Sequence, residues 1–131
     1  MLHHLSLGVR DIERTATFYD AALAPLGYER VWSDIRPGEP DQAIVYGLPG
    51  GGDKLALKQY DAAAAPGPGF HIAFDAPDRQ AVKAFHKAAL AAGGTDNGPP
   101  GLRRHYGPTY YAAFVIDPDG HHIEAVFKEP A

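Results

Sequence analysis

The sequence repeats itself once, at an offset of 67 residues. Asp11 and Asp78 each open an Ala-rich segment that ends at a glycine, and the two segments share a Phe and an Ala-Ala-Leu-Ala run. The same offset places His4 on His71, shortly before those segments. Each copy is too short to bury a sheet by itself, so we expect the two copies to fold alike and to pack together.

Each copy shows the hydrophobic pattern of a strand, a helix and three further strands. Apolar and polar residues alternate over residues 1–9 and 70–75, which is typical of half-buried strands. An apolar stripe at helical spacing follows, from residue 12 to Gly27 in the first copy and over residues 78–92 in the second. The other predicted strands lie between turns rich in Pro and Gly, at residues 28–33, 42–48, 54–60, 109–116 and 121–127, whereas residues 97–108 are predicted to be mostly loop.

The pattern therefore predicts an α+β protein. Two paired βαβββ modules, at about residues 1–61 and 69–128 of a single domain spanning residues 1–131, are expected to form one curved mixed sheet. The two helices would cover the outside of this sheet and leave a concavity on the inside.

Composition excludes several classes of function. The chain has 131 residues, with 12 Lys and Arg against 16 Asp and Glu, and this balance lacks the basic surface that nucleic-acid binding needs. Cysteine is absent, which excludes disulfides, zinc–thiolate sites and thiol catalysis. No apolar run is long enough to span a membrane, and the first residues do not resemble a signal peptide. We expect a cytoplasmic protein with neither a nucleic-acid nor a membrane partner.

Strand alternation brings three potential metal ligands to the concave side. If Leu5 and Ile72 face the helices, His4 and His71 face the concavity, and Glu124 faces it from the last strand. Two imidazoles and one carboxylate suit a divalent ion such as Fe, Mn, Ni or Zn and leave coordination positions open for a substrate. A single strand histidine is more often packed or hydrogen-bonded than metal-bound. Because the repeat relates the two histidines, however, we predict a metal site.

The loop before the penultimate strand contains side chains suited to substrate chemistry. Arg103 or Arg104 matches a carboxylate or phosphate with two parallel hydrogen bonds and, with Tyr106, forms the predicted substrate-binding group. His105 and Tyr110 are candidates for moving a proton beside a metal. Tyr and Arg are also enriched at protein interfaces, so a dimer contact is an equally good interpretation of this loop.

Three motifs carry the resemblance of the sequence to a known family. They are His4-Leu5-Ser6-Leu7-Gly8-Val9, His71-Ile72-Ala73-Phe74 and Asp117-Pro118-Asp119-Gly120-His121-His122-Ile123-Glu124. Over nearly the whole chain, the sequence resembles the vicinal oxygen chelate superfamily, which includes glyoxalase I, extradiol dioxygenases, fosfomycin-resistance thiol transferases and bleomycin-resistance proteins. The motifs are fairly specific for the fold, but not for any one reaction.

The resemblance implies a paired βαβββ fold and, in chains of this size, usually a homodimer. It also implies metal ligands at His4, His71 and Glu124, in a metalloenzyme whose ion chelates two adjacent oxygens of a small-molecule substrate. The reaction would be that of a lyase, a dioxygenase or a thiol transferase. The alternative is a metal-free drug-binding protein of the bleomycin-resistance type, a group that generally lacks the three-ligand set.

One position departs from glyoxalase I, in which the last strand of the first module carries a fourth ligand, usually Glu. The repeat offset places Leu57 there, and a slip of one residue places Ala56 or Lys58, none of which is a carboxylate. Since that carboxylate is also the base of glyoxalase I, the isomerase reaction is not expected here.

Proton transfer is then expected from a residue outside the ligand set. His122 shares the strand parity of Glu124, and His105 and Tyr110 border the concavity from the loop. These three, His122, His105 and Tyr110, are the predicted catalytic residues.

Overall fold

The computed structural model describes residues 1–129. Those residues form eight strands, two α-helices and a short 3₁₀ helix, in the order β1 (Leu5–Val9), α1 (Ile12–Leu23), the 3₁₀ helix (Ala24–Leu26), β2 (Glu29–Asp34), β3 (Ala43–Gly47), β4 (Leu55–Gln59), β5 (Ile72–Asp75), α2 (Arg79–Ala91), β6 (Thr95–Leu102), β7 (Tyr110–Ile116) and β8 (His122–Lys128).

The strands form two four-stranded sheets with the same topology. The first has the order β1-β4-β3-β2 and the second the order β5-β8-β7-β6. In each sheet the first two strands of this order are parallel and the other pairs are antiparallel. The predicted α+β fold with two βαβββ modules is therefore confirmed, and each module forms its own mixed sheet of four strands.

Asp11 and Asp78, which the repeat relates to each other, are the N-caps of α1 and α2. The Asp11 side chain accepts a hydrogen bond from the backbone N–H of Arg14, and the Asp78 side chain accepts one from that of Ala81, so both helices have a capped N-terminus. The apolar stripe of α1 was predicted to reach Gly27, but the α-helix ends at Leu23. The cause is Pro25, which has no N–H for a helical hydrogen bond.

The turn before β8 fastens the second module to the first. The Tyr19 hydroxyl of α1 donates a 2.5 Å hydrogen bond to Asp117, and Arg14 of the same helix donates one of 3.2 Å to Asp119. Nε2 of the buried His121 lies 2.7 Å from the carbonyl oxygen of Gly8 in β1. These contacts hold the two modules against each other, because they join α1 and β1 of the first module to the turn before β8 of the second.

Three strands, β1, β5 and β6, differ most from the prediction. β1 and β5 begin one residue after His4 and His71, so each histidine lies at the entrance to a strand. β6 runs to Leu102, across a segment predicted to be mostly loop. It tolerates Pro99 and Pro100 because it is an edge strand with irregular register. Within residues 1–129, no helix is both long and apolar enough to cross a lipid bilayer.

Candidate metal centre and substrate cavity

Glu124 is the buried centre of the candidate site. Its side chain on β8 is only 1% exposed, and each of its carboxylate oxygens has a polar neighbour. Nε2 of His71 lies 2.8 Å from Oε1, and the Tyr110 hydroxyl donates a 2.8 Å hydrogen bond to Oε2. Parallel pairing of β5 with β8 brings His71 to this position, since Ala73 lies opposite Glu124.

Tyr110 keeps its proton because of where it lies. Partial burial and then the hydrogen bond to the carboxylate of Glu124 raise the pKa of the Tyr110 phenol well above its ordinary value. A phenol of this kind donates a hydrogen bond and is a poor base at neutral pH. Tyr110 is one of the predicted catalytic residues, and its observed side-chain contact is this hydrogen bond to Glu124.

A cavity of about 360 Å³ lies on the same face of the second sheet. It contains four of the predicted substrate and catalytic residues, namely Arg103, His105, Tyr106 and His122, together with the predicted ligand His71. The other lining residues are Gly69, Phe70, Asn97, Gly98 and Phe114. Phe114 was missed from the sequence, although its position directly opposite Glu124 between β7 and β8 gives it the same parity.

Two predicted residues lie elsewhere. Arg104 is exposed and does not line the cavity. His4 lies in the first module, where its Nδ1 is 2.8 Å from Nδ1 of His3 and 3.6 Å from a carboxylate oxygen of Asp53. Of all the His, Asp and Glu side chains in residues 1–129, only these three form a group of ligand atoms within 4.8 Å of one another. One chain therefore brings His71 and Glu124 together without His4.

The strand pairing identifies the residue of the first module that corresponds to Glu124. Leu5 pairs with Leu55 in the first sheet, and Ile72 pairs with Ile123 in the second. Because the repeat relates the first residues of these pairs, Leu55 corresponds to Ile123, and the next residue, Ala56, corresponds to Glu124. The structure thus resolves the choice among three positions left open by the sequence, and the corresponding residue carries no carboxylate.

The rows of residues across the two sheets correspond as well. In the first sheet, Trp32 pairs with Val45 and Val45 pairs with Ala56, so all three lie on one face. In the second sheet, Gly98 and Phe114 lie in the same order beside Glu124. The first module therefore presents an apolar row where the second presents the carboxylate and the cavity.

The donor atoms at Glu124 fit a divalent transition metal. An imidazole nitrogen and a carboxylate oxygen are ligands that Fe, Mn, Ni and Zn accept, and a buried carboxylate is costly unless a positive charge or hydrogen bonds compensate it. His71 is half exposed, so its nitrogen is accessible from the cavity. Residues of this chain that would hold an ion are thus His71 and Glu124, with further ligands still to be supplied.

Comparisons with known proteins agree with this architecture. The family model of the Glyoxalase/Bleomycin resistance protein/Dioxygenase superfamily matches residues 1–125. No match was found among curated proteins. Among solved structures, a glyoxalase/bleomycin resistance protein from Albidiferax ferrireducens is 31% identical, with a TM-score of 0.79 over 98% of this chain and 99% of that one.

Two further solved structures have the same fold. A glyoxalase I mutant from Zea mays is 25% identical, with a TM-score of 0.71 over 94% of this chain and 45% of that one. The fosfomycin resistance protein FosX from Listeria monocytogenes is 19% identical, with a TM-score of 0.67 over 96% of this chain and 91% of that one. From the family match over nearly all of its length, the chain belongs to the Glyoxalase/Bleomycin resistance protein/Dioxygenase superfamily.

Proposed function

We propose that this protein is a metal-dependent enzyme that acts on a small molecule in the cavity beside His71 and Glu124. The observation that carries the proposal is the buried Glu124 carboxylate, held between the Tyr110 phenol and the imidazole of His71, which lines an open cavity. A glutamate that served only to stabilise the fold would be expected to pair with Arg or Lys, which are always charged at neutral pH.

A second copy of the chain would complete the ligand set with its His4. Within one chain, His4 is exposed and separated from His71 and Glu124. Yet it occupies the same place before β1 that His71 occupies before β5. A two-fold dimer that sets the first module of one chain against the second module of the other would place both histidines at one centre and form two equal sites.

The residues at the cavity and those beside it have different roles. When bound, a divalent ion would act as a Lewis acid on a substrate oxygen. Tyr110 donates a hydrogen bond to Oε2 of Glu124, so Oε1 is the carboxylate oxygen that lies beside His71. His122 and His105 line the cavity, and histidine is the side chain that most often acts as a general acid or base.

The proposed reaction excludes the isomerisation catalysed by glyoxalase I. That reaction requires a carboxylate base on the last strand of the first module, and the corresponding residue here is Ala56. What remains is a reaction in which the metal polarises the substrate while a histidine transfers the proton. Dioxygenase and thiol-transferase chemistry both meet this description.

Metal uptake by the purified chain tests the proposal. Wild-type protein loaded with Mn, Fe, Ni or Zn should hold the ion through gel filtration, and His71→Ala should lose most of it. His122→Ala is the matched control, because it removes an imidazole from the same cavity without removing a proposed ligand. Equal metal content in wild type and His71→Ala would contradict the proposal. Absence of metal from both, with a drug-like ligand still bound, would favour the metal-free binding protein.

A further inference from the structure

We infer that Arg103 makes the cavity selective for small organic acids, with its guanidinium held ready to bind the carboxylate of the ligand. The inference rests on the proposed function only in placing the ligand in the same cavity. Its support is the way in which β6 accommodates this one side chain.

Two glycines of β6 leave room for the guanidinium. A Cβ atom at Gly98 would lie 3.0 Å from the Phe114 side chain and 3.1 Å from Nη2 of Arg103, and one at Gly101 would lie 3.2 Å from Nη1. At Gly101 nothing else would be approached within 4 Å, and its φ lies outside the left-handed region. The backbone conformation therefore does not require glycine at this position, and the space that it leaves is occupied by Arg103.

Further contacts hold the guanidinium in place. Nη2 donates a 2.6 Å hydrogen bond to the carbonyl oxygen of Pro99, and the group lies over the ring of Phe114 at 5.3 Å from its centroid. The backbone N–H of Arg103 donates to the carbonyl oxygen of Tyr110. A group held in this way loses less entropy when it binds an anion than a freely rotating side chain would.

The charge of Arg103 has no partner in the part of the chain that the structure describes. No carboxylate of residues 1–129 lies within 4.0 Å of its nitrogens, and the residues lining the cavity include no Asp or Glu. Several other Arg side chains do form ion pairs, for example Arg30 with Asp20 and Arg36 with Asp34. An unpaired guanidinium in a cavity that also contains histidines attracts an anion.

The remaining lining residues indicate what is attached to that anion. Phe70, Tyr106 and Phe114 supply apolar surface to the cavity. A planar carboxylate matches the two parallel N–H groups of Arg, and an apolar or aromatic body matches the rings. A small organic acid satisfies both requirements. Arg104 carries the same charge one residue later but does not line the cavity, so it provides a matched control.

Titration of the full chain with benzoate, benzamide and phenylphosphonate, followed by NMR, tests the inference. Benzamide has the shape of benzoate without its charge, and phenylphosphonate distinguishes a general oxyanion site from a carboxylate site. We expect benzoate to bind more tightly than either. Arg103→Gln should weaken benzoate binding by at least about tenfold, whereas Arg104→Gln should leave it unchanged.

Gly101→Ala makes the test independent of the loss of a charge. The added methyl group requires the guanidinium to shift by a few tenths of an ångström but leaves the backbone unstrained, so benzoate binding should weaken while the melting temperature stays near that of the wild type. This variant decides the matter if Arg103→Gln does not fold. Equal binding of benzoate and benzamide, no benzoate binding by wild type, or wild-type affinity in both Arg103→Gln and Gly101→Ala would overturn the inference.

The titrations are run both with a chelator present and after metal loading. Arg103 does not depend on a metal for its position, so benzoate should bind in the chelator-treated protein. The benzoate titration can therefore be interpreted even if the protein binds no metal. Conversely, Arg103→Gln should take up metal like the wild type even where benzoate binding is lost.

Discussion

Ala56 occupies in the first module the position that Glu124 occupies in the second. Ala56 follows Leu55, which pairs with the first residue of β1, Leu5. Glu124 follows Ile123, which pairs with the first residue of β5, Ile72. The two modules are thus alike in backbone and unlike in chemistry. The carboxylate, the phenol that holds it and the cavity all belong to the second module.

This asymmetry predicts weak glyoxalase I activity and a way to raise it. Wild-type protein should be a poor isomerase of the methylglyoxal–glutathione hemithioacetal, because loss of a positioned base typically costs a factor of about 10² to 10⁴ in rate. Ala56→Glu should increase the isomerase rate, measured by product absorbance. Lys58→Glu places the same carboxylate two residues along β4 and should increase the rate less. Wild-type turnover at roughly 10 per second or faster would show that another residue supplies the base.

The contact between Tyr19 and Asp117 predicts that the protein loses stability at alkaline pH. Burial, followed by the charge of Asp117, raises the pKa of the Tyr19 phenol well above its ordinary value. Above about pH 10, the unfolded chain therefore releases the phenolic proton while the native protein keeps it, so stability falls as the pH rises. Tyr19→Phe should remove this part of the pH dependence.

At pH 7, Tyr19→Phe should destabilise the fold by about 1–3 kcal/mol, since it leaves a buried carboxylate oxygen of Asp117 without its donor. Urea denaturation at pH 7 and at pH 10.5, roughly half a unit above the ordinary Tyr pKa, measures both effects. Tyr60→Phe is the control, because Tyr60 is 60% exposed. An identical pH profile for Tyr19→Phe and wild type would contradict the prediction.

Gly94 is predicted to tolerate substitution poorly. A Cβ atom there would lie 2.7 Å from the Val115 side chain, 2.8 Å from that of Phe18 and 2.9 Å from the carbonyl oxygen of Ala89. Since these atoms belong to packed core elements, Gly94→Ala should cost about 1–3 kcal/mol or more in the free energy of unfolding. Gly67→Ala is the matched control, because a Cβ at Gly67 would meet nothing within 4 Å. Equal melting temperatures for the two variants would count against this packing.

A homodimer is expected from the apolar row on the first sheet. Trp32 is 54% exposed and lies on the same face as Val45 and Ala56, a large aromatic surface that a partner would cover. Light scattering at micromolar concentration should give twice the chain mass of 14.0 kDa. Trp32→Glu should shift the protein towards the monomer, and a wild-type monomer would contradict the expectation.

The sequence was sufficient to predict the fold because the repeat and the strand periodicity are local signals. Asp11 and Asp78 mark the helix starts, and parity correctly placed His122 and His71 at one cavity. The hydrogen bond between Tyr110 and Glu124 could not be predicted from the sequence, because it depends on how far the Tyr110 side chain reaches along the sheet.

The separation of His4 from His71 was also beyond sequence reasoning. Parity describes which face of a strand a residue occupies, but not whether two sheets of one chain face each other. Likewise, the role of Gly101 depends on the path of the Arg103 side chain, for which the sequence gives no signal. The pattern of apolar and polar residues does not predict how the modules are placed in space or where long side chains reach.

Metal binding by a mixture of His4→Ala and His71→Ala chains tests the central claim most directly. If a site takes His4 from one chain and His71 with Glu124 from the other, each variant alone has no intact site. A dimer with one chain of each variant has one complete site. After co-refolding or subunit exchange, the mixed dimer should therefore recover metal binding at one ion per dimer, half the wild-type amount. A mixture that binds no more metal than either variant alone, although mixed dimers have formed, would contradict a site shared between two chains.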